Sequence, residues 1–214
     1  MKIGLIADMH GDLDSFETAL AILETHEVEC ILCAGDVTER GAEADEIVQL
    51  MKALDIGCVM GNHDATVLEH QARRREAASH EGLTKVGRIV NDDTLRYLRT
   101  LPNRAYYRFD KTRLLMAHGA PWSEVVGLYP DSPQAWFDEL VERHGHEADV
   151  VVLGHTHAPL WVTIGNLTVV NPGSIYGVTI RDSHTCAVLT LPEKSLAVYS
   201  LRTGEPVSVP LTVR

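Results

Sequence analysis

The first sixty residues alternate between short apolar runs and amphipathic stretches, and this alternation predicts strands and helices in turn. The opening run KIGLIAD stays apolar until its final Asp, as expected for a strand buried on both faces of a parallel sheet. Further strands are predicted at residues 30–34 and 56–60, and helical spacing of apolar residues covers 13–26 and 44–54. This βαβαβ order predicts a parallel α/β arrangement with right-handed crossovers.

Beyond residue 60 the pattern is less regular, and the last third turns to β structure. The predicted helices lie at 64–81, 92–100 and 133–144, and the predicted hairpin at 105–109 and 113–117. The predicted later strands lie at 149–153, 159–164, 167–171, 185–191, 195–201 and 206–213. No linker or internal repeat is evident, so we expect one domain over residues 1–214, with room for a small helical cap within 65–104.

Composition and charge limit the function further. The chain has 19 basic and 30 acidic residues, which gives a net charge of −11. An acidic surface disfavours nucleic acid polymers as partners, but bound metal ions could still attract a small anionic substrate. No apolar run reaches the roughly 18–20 residues that cross a bilayer, and no secretory signal is evident, so we expect no membrane partner and a cytoplasmic protein. The four cysteines are expected to be reduced and buried.

Five predicted strands are followed by polar side chains that can bind a metal ion. These side chains are Asp8, His10, Asp36, Asn62, His118, His155 and His157. Ligands bind beyond the carboxyl ends of strands in α/β sheets, so five such ends in one sheet would bring these groups together. Glycines at 35, 61 and 154 lie just before three of these groups, where the chain must leave a strand sharply and pack closely.

The chemistry of this set favours a dinuclear metal site. Imidazoles with carboxylate and amide oxygens suit Mn, Fe, Zn or Co better than Ca. Seven groups exceed one tetrahedral site and fit two ions that share a carboxylate. Each motif alone has an ordinary explanation as a turn, a helix cap or a solvated loop, whereas their ordered occurrence at strand ends does not. A Rossmann-type nucleotide site is disfavoured because DMHGD, instead of a glycine-rich turn, follows the first strand.

These motifs resemble those of the calcineurin-like metallophosphoesterase superfamily. The resemblance rests on Asp8-x-His10, Gly35-Asp36, Gly61-Asn62-His63-Asp64, His118-Gly119 and Gly154-His155-x-His157. Asn171-Pro172-Gly173-Ser174 is similar to a segment of the small bacterial and archaeal phosphodiesterase branch. The resemblance implies an α/β fold built as a four-layer αββα sandwich, in which two mixed β-sheets are flanked by helices.

The resemblance also implies a role for each residue. One ion is expected on Asp8, His10 and His157, and the other on Asn62, His118 and His155, with Asp36 bridging the two. His63 resembles the general acid of the family, and Asp64 is expected to orient it. The expected cofactors are two divalent metal ions, with manganese first and iron, zinc, nickel, cobalt or magnesium as alternatives. Arg181 lacks the preceding proline of related sequences, so its role stays open.

The expected function is hydrolysis of phosphoric esters by a hydroxide that bridges the two ions. The two ions, two carboxylates and this hydroxide would leave one net positive charge, which suits a small anionic phosphodiester, nucleotide-like or otherwise. The alternatives are a phosphomonoesterase or protein phosphatase, and a non-catalytic scaffold of the same fold. The intact ligands and the His63-Asp64 pair argue against a scaffold, and the sequence leaves the substrate and the oligomeric state open.

Overall fold

A computed structural model describes residues 1–75, 82, 85 and 89–214, without the side chains of 70 and 72–75. Within these residues the strands are β1 (Lys2–Ile6), β2 (Cys30–Cys33), β3 (Gly57–Cys58), β4 (Arg104–Phe109), β5 (Thr112–Ala117), β6 (Val150–Val152), β7 (Pro159–Ile164), β8 (Leu167–Pro172), β9 (Thr185–Thr190), β10 (Ser195–Ser200), β11 (Pro206–Val207) and β12 (Thr212–Val213). The helices are α1 (Leu13–Thr25), α2 (Ala44–Ala53), α3 (Asn62–Arg75), α4 (Asp92–Leu98) and α5 (Gln134–His144). Residues 76–81 of the helix predicted at 64–81 lie outside the described residues, as does part of the predicted cap.

The strands form two mixed sheets of six. The first sheet has the order β11-β10-β9-β1-β2-β3, with β1, β2 and β3 parallel to one another. The second has the order β12-β7-β8-β6-β5-β4, with β5, β6 and β8 parallel. The predicted βαβαβ start and the hairpin of β4 and β5 are therefore confirmed.

Both faces of the first strand are buried, which explains why its apolar run is continuous. Ile3 and Leu5 pack with Leu114 and Val152 of the second sheet in the core between the sheets. Ile6 belongs to a separate core beneath α1 and α2. The outer face of the second sheet packs against α5 in the same way. These three cores separate four layers, which confirms the predicted αββα sandwich.

Two predictions from the sequence are wrong in detail. Residues 206–213 are not one strand, because β11 pairs with β10 in the first sheet and β12 pairs with β7 in the second. Pro210 lies between them and has no N–H to donate, so a continuous strand is interrupted there. The five ligand-bearing strand ends also come from two sheets instead of one.

No helix within the described ranges is long and apolar enough to cross a membrane.

Candidate metal centre

The seven predicted metal ligands meet where the carboxyl ends of strands from both sheets face each other. Strands β1, β2 and β3 of the first sheet lead to Asp8, His10, Asp36 and Asn62. Strands β5 and β6 of the second sheet lead to His118, His155 and His157. The ligands that follow β1, β2 and β5 are buried. Asn62, His155 and His157 are half-buried and open towards solvent. The face-to-face packing thus builds one site from two sheet edges.

The first group of ligand atoms is formed by Asp8, His10 and His157. The Nε2 atoms of His10 and His157 lie 3.1 Å apart. Asp8 Oδ1 lies 3.4 Å from His157 Nε2. One ligand atom from each of the three residues falls within 4.8 Å of the others, which is close enough for a shared metal ion.

The second group surrounds the amide oxygen of Asn62. Asn62 Oδ1 lies 3.0 Å from His118 Nε2 and 2.9 Å from His155 Nδ1. Asp36 Oδ2 lies 3.2 Å from His118 Nε2 and 3.9 Å from His10 Nε2, so it stands between the two groups. Ligand atoms of Asp8, Asp36 and His118, and of His10, Asp36 and His63, also lie within 4.8 Å of one another, so the division of ligands that the family resemblance implies stays a prediction.

The backbone of the site is strained at most of its ligands. Positive φ angles occur at Asp8 (54°), His10 (50°), Asp36 (55°), His155 (69°) and His157 (57°). Residues other than glycine seldom adopt this left-handed conformation, which persists only where surrounding contacts enforce it. Here the Asp8 N–H donates to Gly35 O at 3.0 Å and the His10 N–H to Asp36 O at 2.9 Å. The chain therefore holds the ligands in place before any ion binds.

Gly61 permits the close approach of β3 to Asp36. A Cβ atom at Gly61 would lie 2.1 Å from Asp36 Oδ1 and 2.3 Å from Asp36 N. Both distances are far below van der Waals contact, so a larger residue would displace the carboxylate between the two groups. The glycine that the sequence places before Asn62 is required by this contact, as predicted.

Three histidine rings are held by their outer nitrogen, which leaves Nε2 facing the centre. His118 Nδ1 bonds to Ala34 O at 2.8 Å, and His10 Nδ1 lies 3.4 Å from Thr38 O. His157 Nδ1 bonds to Asp182 Oδ1 at 2.5 Å. An oxygen at Nδ1 makes this nitrogen the donor, so the lone pair of Nε2 points inwards.

The arrangement fits divalent metal ions. The Nε2 atoms of His10 and His157, 3.1 Å apart, can share either a proton or a metal cation. Burial lowers the pKa of His10 to about 4 despite the nearby charges of Asp36 and Asp8, so its ring is neutral at pH 7. Asp8 Oδ1 is buried and has no hydrogen-bond partner among the described residues. An unsatisfied carboxylate oxygen near the neutral imidazole of His10 is the chemistry that a metal ion requires of its ligands.

His63 lies beside the ligand groups, half-buried, with its ring edge-on to His10 at 4.8 Å between centroids. Its Nδ1 bonds to Glu39 Oε2 at 2.6 Å, and its Nε2 lies 3.9 Å from Asp36 Oδ2. The hydrogen bond to Glu39 raises the pKa of His63 although burial opposes it, and the charge of Asp36 adds to the rise. The ring is thereby kept ready to hold a proton.

The structure corrects the prediction that Asp64 orients His63. The buried Asp64 carboxylate instead accepts hydrogen bonds from Thr38 N at 2.9 Å, Thr38 Oγ1 at 2.8 Å and Gly61 N at 3.1 Å. Burial and the charge of Asp36 raise the pKa of Asp64 to about 6, although these hydrogen bonds oppose the rise. Asp64 therefore ties the loop after β2 to the end of β3, and Glu39 holds the His63 ring.

Sequence reasoning missed Glu39 and Asp182. Glu39 stands three residues after Asp36 in the same loop, and this acidic neighbour was an available signal. Asp182 lies 25 residues after His157, in a segment with no motif of its own. Only the fold brings Asp182 to the outer nitrogen of a metal-facing histidine.

A cleft of about 510 Å³ opens beside His155 and His157. Its walls include Arg40, Tyr129, Tyr176 and Arg181. The Arg40 guanidinium lies 5.5 Å from the centre of the Tyr176 ring. The sequence had left the place of Arg181 open, and the structure puts it in this cleft.

Comparisons with known proteins agree with the fold. The sequence model of the calcineurin-like phosphoesterase superfamily domain matches residues 1–194. A probable metallophosphoesterase of Methanothermobacter thermautotrophicus is 26% identical over 215 residues, covering 100% of this chain and 99% of the relative. A metallophosphoesterase structure from Sphaerobacter thermophilus has a TM-score of 0.72 at 21% identity, covering 98% of this chain and 89% of that one. The structure of an archaeal phosphodiesterase has a TM-score of 0.58 at 19% identity, covering 92% and 98%.

Proposed function

The chain belongs to the calcineurin-like phosphoesterase superfamily, and within it we propose a phosphodiesterase that uses two divalent metal ions, manganese first, to hydrolyse a small phosphodiester. One observation carries the proposal: two groups of metal-binding atoms meet at Asp36, and beside them the His63 ring is held by Glu39. One nitrogen of His63 also lies within 4.8 Å of ligand atoms of His10 and Asp36, and we assign this ring to the acid and not to a metal ion. A non-ligand acid next to two metal positions is what a hydrolase needs and a metal-binding scaffold does not. The likeness to an archaeal phosphodiesterase supports the same proposal.

The bound ions would supply an activated water molecule and neutralise charge on the phosphate. The residues of the chain perform the remaining tasks. Arg40 lines the cleft beside the metal centre, with its guanidinium 5.5 Å from the centre of the Tyr176 ring, so it is placed to bind a non-bridging phosphate oxygen. Asn62 is half-buried at the start of α3, and we place its side-chain amide beside the same phosphate oxygen.

His63 acts as the general acid. Glu39 accepts a hydrogen bond from Nδ1 and raises the pKa of the ring, so the protonated ring presents its second N–H, at Nε2, to the substrate. The bond between phosphorus and the leaving oxygen breaks as the oxygen of water joins phosphorus, and the Nε2 proton passes to the leaving oxygen. The charge of Glu39 stabilises the protonated ring until that transfer.

Metal analysis combined with two chromogenic substrates tests the proposal. The purified protein is stripped of metal and reloaded with Mn, Ni, Mg or Zn, and its metal content and turnover of bis(p-nitrophenyl) phosphate and p-nitrophenyl phosphate are measured. We expect two ions per chain and faster cleavage of the diester. Asp36→Asn should lose both ions, because both groups depend on its carboxylate, whereas the exposed Asp138→Asn should keep them. Faster monoester cleavage would indicate a phosphatase, and inactivity with every metal would indicate a scaffold.

A further inference from the structure

Two arginines in the cleft beside the metal centre have no carboxylate partner among the described residues. Arg40 is half-buried and contacts the Tyr176 ring, and Arg181 is exposed on the opposite loop. The chain has 30 acidic and only 19 basic residues, so an unpaired arginine is unexpected on this surface. Two guanidinium groups facing one cleft provide more positive charge than a single scissile phosphate requires.

Aromatic rings line the same cleft. Tyr129 is 43% exposed, although a tyrosine ring of this size is commonly packed more deeply. Tyr176 packs edge-on against His10 with 5.5 Å between ring centroids, and its backbone N–H donates to Asp8 O at 3.1 Å. The two rings offer flat apolar surfaces on which a planar group could stack.

The cleft borders the metal centre, because His155 and His157 line it. The Tyr176 ring in its wall packs on the His10 ring with 5.5 Å between centroids. The Arg40 guanidinium lies over the Tyr176 ring, 5.5 Å from its centre. A substituent of a phosphate bound at the metal centre could therefore extend into the cleft.

We infer that this cleft is a subsite for a nucleotide portion of the substrate, with the base against Tyr129 and Tyr176 and a second phosphate on Arg181. The inference rests on the proposed phosphodiesterase function. A volume of about 510 Å³ falls in the range of pockets that enclose small ligands. Arg40 holds the scissile phosphate, and Arg181 binds the additional phosphate further along the cleft. The substrate is then a phosphodiester in which one nucleotide carries a terminal phosphate.

Two dinucleotides that differ by one phosphate test the inference directly. The dinucleotide pApA carries a terminal 5′-phosphate and ApA does not, while the scissile bond is the same. We expect the wild-type protein to prefer pApA in kcat/KM by about tenfold, the effect of one charge-assisted hydrogen bond at a partly exposed site. Arg181→Gln should bring the ratio close to one, and Arg181→Lys should restore part of it. Arg99→Gln removes the same charge from an exposed position outside the cleft and should leave the ratio unchanged.

Calorimetry provides a readout that does not depend on turnover. AMP should bind the metal-loaded protein about tenfold more tightly than adenosine, and Arg181→Gln should remove this difference. Tyr129→Leu should weaken AMP and adenosine equally, because stacking does not involve the phosphate. The inference would be overturned by a wild-type ratio of kcat/KM for pApA over ApA near one, or by a ratio that stays high in Arg181→Gln. Suppose that the protein hydrolyses neither dinucleotide nor bis(p-nitrophenyl) phosphate and still binds AMP more tightly than adenosine. In that case the inference on the cleft stands and the proposed phosphodiesterase function fails.

Discussion

Replacement of Asp182 by asparagine tests whether the carboxylate behind His157 controls metal affinity. The Asp182 side chain is 1% exposed, and its two oxygens accept from different donors. Oδ1 accepts from His157 Nδ1 at 2.5 Å, and Oδ2 accepts from Thr179 N at 2.7 Å. Asparagine has nearly the same size but only one acceptor oxygen. One of the two N–H groups must therefore lose its partner, and the histidine loses a negative charge that makes Nε2 a better ligand.

The size of the effect follows from this geometry. An unsatisfied donor at a buried site costs about 1–3 kcal/mol. At about 1.4 kcal/mol per factor of ten, the affinity for one ion should fall roughly 10–100-fold, the usual effect of losing a carboxylate behind a ligating histidine. Only the ion on Asp8, His10 and His157 should be affected, because Asp182 contacts no residue of the Asn62 group in the described part of the chain.

Competition with a chelator, followed by calorimetry, measures the affinity of each ion. Circular dichroism of the Asp182→Asn protein should match that of the wild type, which separates loss of metal from loss of fold. Asp138→Asn removes one carboxylate from the exposed face of α5 and serves as the matched control. If Asp182→Asn binds both ions within twofold of the wild-type affinity, the coupling of Asp182 to the metal through His157 is refuted.

Three further predictions concern the acid, the glycine before Asn62 and an ion pair outside the site. His63→Ala should keep both ions but lower turnover of esters with poor leaving groups by about 10²–10⁴-fold, measured with a series of substituted phenyl esters. Gly61→Ala should lose both ions, measured by metal analysis, because its Cβ would lie 2.1 Å from Asp36 Oδ1. The hydrogen bond from Arg113 lowers the pKa of Asp149 to about 2, so this carboxylate stabilises the fold above its ordinary pKa and loses that effect as the pH falls towards about 2. In Asp149→Asn the free energy of unfolding, measured with urea, should therefore fall less steeply as the pH is lowered.

Each of these predictions has a control and a contrary result. Loss of metal from His63→Ala would show that His63 is a ligand, whereas equal activity on good and poor leaving groups would exclude it as the acid. Gly165→Ala serves as the control for Gly61→Ala, because nothing lies within 4 Å of its added Cβ and only the backbone at φ 55° is strained. An Asp149→Asn protein that loses stability in acid as steeply as the wild type would contradict the ion-pair explanation.

The order of strands, helices and metal-binding residues could be predicted from the sequence because each depends on local patterns. A continuous apolar run predicts β1, and helical spacing predicts α1 beside it. The ligand motifs immediately follow such runs, so the topology alone brings them near one another. Their division between two ions was implied only by the family resemblance and stays a prediction, with Asp36 near both groups.

The tertiary structure decided what depends on contacts between distant segments. The sequence alone suggested one sheet for five strand ends, but packing assigns three to the first sheet and two to the second. It also replaced Asp64 with Glu39 as the partner of His63 and brought Asp182 to His157. Hydrophobic periodicity records which face of each element is buried, but it contains no information on which polar side chains meet across the loops. Those meetings follow from the relative placement of the two sheets, which many residues set together and no single segment specifies.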